Sequence, residues 1–175
     1  MALFDVAGDE LTSVDNAKRF LELVDGLIFV VDPAQLRSGG PGDETFNTVL
    51  GLLQASGRPP HVSSALVLNK ADLARFDDPI TRWLRLDLTE IDAELILNES
   101  ADVYAYLHSK GAQAWTRPYD ECAKATLHVA SATGGAEQDG VYPRGVTPRR
   151  VLGPLIPVLA MTGVLAGPQA QKVGI

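Results

Sequence analysis

The chain predicts an α/β domain of three layers, a mostly parallel sheet with helices on both faces, from three observations. Apolar runs at Leu3–Val6, Leu27–Val31, Ala65–Leu68 and Leu127–Ala130 have the length of short buried strands. Stretches with apolar residues at helical spacing separate them. Glycine and proline clusters, such as Ser38-Gly39-Gly40-Pro41-Gly42 and Pro59-Pro60, punctuate the junctions.

The first apolar run delivers Asp5 and then Gly8, which lets the backbone turn closely. Thr12-Ser13-Val14-Asp15 resembles a capping box, and Val14, Ala17, Leu21 and Val24 recur at helical spacing, predicting a helix from Ser13 to Val24. Gly26 stops it, and the strand Leu27–Val31 follows, ending at Asp32-Pro33. Asp43 is placed to cap a second helix, with Phe46, Val49, Leu50 and Leu53 on one face. Gly57 and the proline pair end that helix before the strand running to Leu68. The stretch from Asp72 to Ser131 is longer than one crossover requires. Residues 73–126 therefore read as a helical elaboration, with helices over Glu90–Leu97, Asn98–Lys110 and Trp115–Cys122. Its Trp83, Tyr104, Tyr106, Leu107 and Trp115 suit packing better than chemistry. A last helix is expected over Leu155–Ala166; interrupted by Pro157 and Gly163, it falls short of the ~20 residues of a membrane span. Residues 167–175 lack periodicity and are expected to be loose, leaving 1–166 as the folded domain.

At 175 residues and 46% hydrophobic content, one domain can bury roughly 70% of its unfolded surface. Fifteen basic and twenty-two acidic residues give a net charge of −7, which argues against nucleic acid as a partner. Arg144, Arg149 and Arg150 form a basic cluster that reads as a solvated helix entry. The single Cys122 excludes an internal disulfide and, with no signal peptide in view, points to the cytoplasm. His61, His108 and His128 lack metal-ligand spacing.

The tetrad Asn69-Lys70-Ala71-Asp72 leaves a buried strand at the end where open α/β sheets place ligand contacts. A carboxylate such as Asp72 can accept both neighbouring donors of guanine, its ring N–H and its exocyclic amine, a pair that adenine does not offer. The stem of Lys70 suits the flat face of a base, and Asn69 suits tying the loop to nearby backbone. Ser131-Ala132, at the end of another strand, places an Ala132 amide where it can meet the guanine carbonyl.

Together with Asp5-Val6-Ala7-Gly8, these segments stand in the order found in GTPases, and the chain resembles the Ras-like and translation-factor class. It is most similar to bacterial double-GTPase domains, whose ending also resembles Gly145-Val146-Thr147-Pro148-Arg149-Arg150 here. The resemblance implies GTP or GDP with Mg²⁺ as ligands of an intact protein and an incomplete P-loop NTPase-like fold. Asp5 would hold the metal through water and the Gly8 amide would meet the terminal phosphate. The residue after Gly8 would position the attacking water; it is Asp9 rather than glutamine, and a carboxylate beside a phosphate makes a poor catalytic group.

No Gly-x-x-x-x-Gly-Lys-Ser/Thr occurs, so the phosphate cradle and its lysine are missing from this chain. The expectation is the carboxy-terminal part of a longer GTPase, inactive alone and with no tightly bound nucleotide. Its rival is a degenerate GTPase-like interaction module. The class places a central strand beside Leu27–Val31 that this chain does not supply. Leu3–Val6 should therefore pair there directly, or the missing half, another chain or a second copy should supply a strand.

Overall fold

The computed structural model describes residues 2–3, 5, 18, 21–37, 44–55, 62–86 and 90–174. Three strands, β1 (Gly26–Val31), β2 (Ser63–Leu68) and β3 (Lys124–Val129), form a parallel sheet in the order β1-β2-β3. The register pairs Val31 with Leu68 and Leu68 with Val129, so the three strands end level with one another. The strand alternation predicts this arrangement, because each crossover returns the chain to the same end of the sheet.

Helices cover both faces. On one face, α2 (Glu44–Ala55), which follows the single turn α1 (Ala34–Arg37), buries Phe46, Val49, Leu50 and Leu53 as its spacing predicts. Phe46 stacks on Phe29 with ring centroids 4.9 Å apart. Leu21 and the partly buried Val24 join the same cluster. The capping segment Thr12–Asp15 proposed for their helix lies outside the described residues. Ser64 on β2 donates its hydroxyl to the Pro118 carbonyl of α5 (Gln113–Glu121) at 3.1 Å, placing α5 on this face too.

The opposite face receives α6 (Leu155–Met161), which approaches β1 closely: a β-carbon on Gly26 would lie 2.8 Å from Val158. The helix stops at Met161 rather than Ala166. Gly163 at φ +77° supplies the left-handed turn that lets the Leu165 amide reach back to Leu159 at 2.9 Å. Beyond it, the segment expected to be loose carries a 3₁₀ turn, Ala170–Lys172, and packs Ala170 and Val173 with Ala65, Ile96 and Met161.

Between β2 and β3 the elaboration is helical, with α3 (Ile80–Trp83), α4 (Ala93–Ser109) and α5. The two helices expected at Glu90–Leu97 and Asn98–Lys110 are one continuous helix, α4. Asp92 caps it by accepting the Leu95 amide at 3.1 Å, and Asn98, exposed on the outer face, interrupts nothing. Trp83, Tyr106, Leu107 and Trp115 are buried in the core cluster under this region.

One expectation falls partly outside the described residues, and another fails for an identifiable reason. Leu3, 68% exposed, and Asp5 carry no strand pairing with β1, while Phe4 and Val6 lie outside the described residues. Arg150, expected in a solvated basic cluster with Arg144 and Arg149, is only 5% exposed, because its guanidinium finds a buried carboxylate. No helix among the described residues is long and apolar enough to cross a membrane.

Candidate functional site

The level ends of the three strands put Asp32, Asn69 and Ala130 side by side, and the backbone laces them together. The Asn69 amide donates to the Val31 carbonyl at 2.9 Å, and the Ala71 amide donates to the Ala130 carbonyl at 3.0 Å. The loop of the tetrad is thereby fixed to the strands on both sides of β2. Lys70 turns it at φ +51°, a left-handed conformation that is uncommon away from glycine, and a 3₁₀ turn, Ala71–Ala74, carries the chain away.

Lys70 reaches sideways to Asp32, with Nζ 2.7 Å from Oδ2. Burial would push the Asp32 carboxyl up, but the hydrogen bond from Lys70 and the Ala34 amide at 2.8 Å outweigh it and hold the group below its ordinary value. The bond to Asp32 in turn raises the Lys70 ammonium. Because Lys70 is largely exposed, the pair orients the side chain more than it stabilises the fold.

Asp72 is buried, and its Oδ1 accepts a hydrogen bond from the Ser131 hydroxyl. Ser131 Oγ accepts in turn from the Gly134 amide at 2.8 Å. Gly134 is required twice over: it stands at φ +73°, and a β-carbon there would lie 2.2 Å from the Thr147 carbonyl oxygen. That carbonyl belongs to a returning segment that pairs with the Ser131 loop. The Thr147 amide donates to Thr133 at 2.9 Å, and Ser131 and Arg149 exchange amide bonds at 2.9 and 2.8 Å.

The structure therefore brings together Asn69, Lys70, Asp72 and Ser131, with Ala132 exposed just beyond the bridge. Gly8 and Asp9 lie outside the described residues, and Asp5 is exposed. Sequence reasoning did not assign Asp32 a place in the site, although two strand runs of similar length, each closing on a polar residue, were a usable signal for it. Gly134 and the Arg149 backbone left no such signal, since their contacts come from the returning chain.

Chemically, the cluster of Asp32, Lys70 and Asp72 carries one more carboxylate than ammonium. Such a site repels phosphate and favours a neutral ligand with hydrogen-bond donors. A carboxylate offers about four acceptor positions, of which the Ser131 hydroxyl takes one on Asp72, a residue that is itself only 5% exposed.

Comparison with protein-family models, curated proteins and solved structures finds no match.

Proposed function

We propose that this chain is the guanine-reading portion of a GTPase-like domain. The observation that carries this reading is the joint between Asp72 and Ser131, which ties the tetrad to the Ser131-Ala132 loop at the carboxyl end of a parallel sheet. Lys70, steered by Asp32, supports it by placing an aliphatic stem beside the carboxylate. What supports the reading concerns a base and does not extend to the rest of a nucleotide. The sequence has no phosphate cradle, and no group of three His, Cys, Asp or Glu side chains among the described residues is arranged to hold a metal. No hydrolytic step is assigned, and binding of GTP or GDP by this chain is expected to be weak, since phosphate contacts dominate the charged part of the ligand.

Amide chemical shifts followed during titration with guanosine, adenosine and xanthosine test the reading. Guanosine should move the Lys70, Asp72 and Ala132 amides in the millimolar range, and adenosine should not. Asp72→Asn should shift the preference toward xanthosine, because the amide keeps one acceptor and gains a donor where guanine presents donors. An equal response to adenosine, or an unchanged preference in the variant, overturns it.

A second reading, a GTPase-like framework used to bind protein, is favoured by one feature. Among the described residues β1 pairs only with β2, and its Ile28 and Val30 are 38% and 61% exposed. An apolar strand that the described residues leave unpaired on one side is a template for an added strand from another chain or a second copy.

A further inference from the structure

We infer that the buried pair Glu99 and Arg150 is a positioning device for the Asp72–Ser131 joint; this rests on the guanine-site reading above. Neither residue touches the joint. Glu99 projects from α4 and is wholly buried, with its two oxygens gripping the chain on either side of Ser131. Upstream, Oε1 accepts the Val129 amide at 3.1 Å, and Oε2 lies 2.8 Å from His128 Nδ1. Downstream, Oε2 accepts the Arg150 guanidinium at 2.5 Å, one residue past the Arg149 backbone that exchanges both amide bonds with Ser131.

Arg150 is itself over-determined. It donates to the Leu86 carbonyl at 2.6 Å, lies with its guanidinium carbon 5.8 Å from the centre of the Trp83 ring, and holds a backbone φ of +55°. A non-glycine residue persists in that conformation only where its surroundings impose it. The arrangement does not run through the middle of the sheet: Glu99 meets it at the β3 edge, through His128 and the Val129 amide, and Arg150 belongs to the returning segment. The pair instead sets where the returning segment lies against Ser131, and hence whether one hydroxyl can serve the Asp72 carboxylate and the Gly134 amide together. Such a bond switches off over a displacement of about 1 Å.

The test measures the ratio of guanosine to inosine affinity in the full-length chain and in Arg150→Met, from amide shifts at Lys70 and Asp72. Inosine lacks the exocyclic amine, so the ratio reports whether Asp72 is aimed to accept both donors, and it does not depend on the folded fraction of the sample. Hydrogen exchange at Ser131 and Gly134 is measured in parallel with that at Leu66 and Val67. The expected result is a ratio reduced roughly tenfold and exchange at Ser131 and Gly134 accelerated at least tenfold more than at Leu66 and Val67, which report the global loss of stability. Arg150→Lys, which retains the charge but loses the forked donor geometry, should give a smaller change in the same direction and serves if Arg150→Met does not fold.

An unaltered ratio, or exchange that accelerates evenly across the sheet, overturns the inference and makes the pair a general core contact. If the unmodified chain shows no guanosine-dependent shift at all, the guanine-site reading fails. Exchange at Ser131 and Gly134 then still decides whether the pair holds the loop.

Discussion

The two edges of the sheet are built on opposite principles. At β3 two outward-facing amides are closed off by side chains of α4. The Leu127 amide donates to Ser100 Oγ at 3.0 Å and the Val129 amide to Glu99 Oε1 at 3.1 Å, while the inward-facing Ala130 amide bonds Leu68 of β2. Ser100 passes its own proton back to the Ile96 carbonyl at 2.8 Å, so the helix seals the edge without leaving its hydroxyl unsatisfied. At β1 the bonds from Ser63 and Asn69 engage the carbonyls of Asp25 and Val31, so strand geometry turns the peptide groups of Ile28 and Val30 away from β2. No described residue pairs with them. One edge is thus closed by a polar, buried arrangement, and the other is apolar and left unpaired by the described residues. The lesson is that a helix can end a parallel sheet with side-chain acceptors in place of another strand.

The sealed edge should be the more costly to disturb. Glu99→Ala removes the acceptor of Val129 and leaves the Arg150 charge buried without its carboxylate, and it should cost about 3–5 kcal/mol of unfolding free energy in a urea titration. A loss below ~1 kcal/mol would mean that the edge is held by helix packing alone.

Acid should reveal the same dependence with a definite sign. Burial by itself would raise the Glu99 carboxyl, but His128, Arg150 and the Val129 amide outweigh it and hold the group below its ordinary value of 4.5. The folded carboxyl then releases its proton more readily than the unfolded one. Its contribution is complete above pH 4.5, and it is lost as pH falls below that value and through the folded pKa. Unfolding free energy compared at pH 6, 4 and 3 should fall more steeply for the unmodified chain than for Glu99→Gln. Parallel curves would remove Glu99 from the account of the sealed edge.

At the open edge the stability effect should be small and the association effect clear. Val30→Lys places a charge at a position already 61% exposed and should change unfolding free energy by no more than about 0.5 kcal/mol. If β1 recruits a strand, the unmodified chain should sediment as a larger species with rising concentration, and the lysine variant should remain monomeric. A monomeric unmodified chain would show that this edge does not pair copies of the protein, and the interaction reading would lose its main support.

Periodicity and punctuation alone determined much of this architecture. Residues 27–31 and 65–68 are apolar without alternation and form parallel strands, of which only β2 is buried throughout while β1 exposes Ile28 and Val30, and Phe46, Val49, Leu50 and Leu53 mark one face of a helix. The tetrad was legible for the same local reason: a strand followed at once by Asn69-Lys70-Ala71-Asp72 must present those side chains at the sheet's end. The grouping of Asp72 with Ser131 was legible only through the resemblance of their motifs to a known class, and the direct bond between these residues, 59 positions apart, was not, because it depends on the shared register of β2 and β3. Tertiary structure also decided the fate of Arg150. Beside Arg149 in the sequence it reads as surface charge, yet a left-handed backbone turns it inward to Glu99, 51 positions away, where a buried charge is tolerated only because its partner is already there.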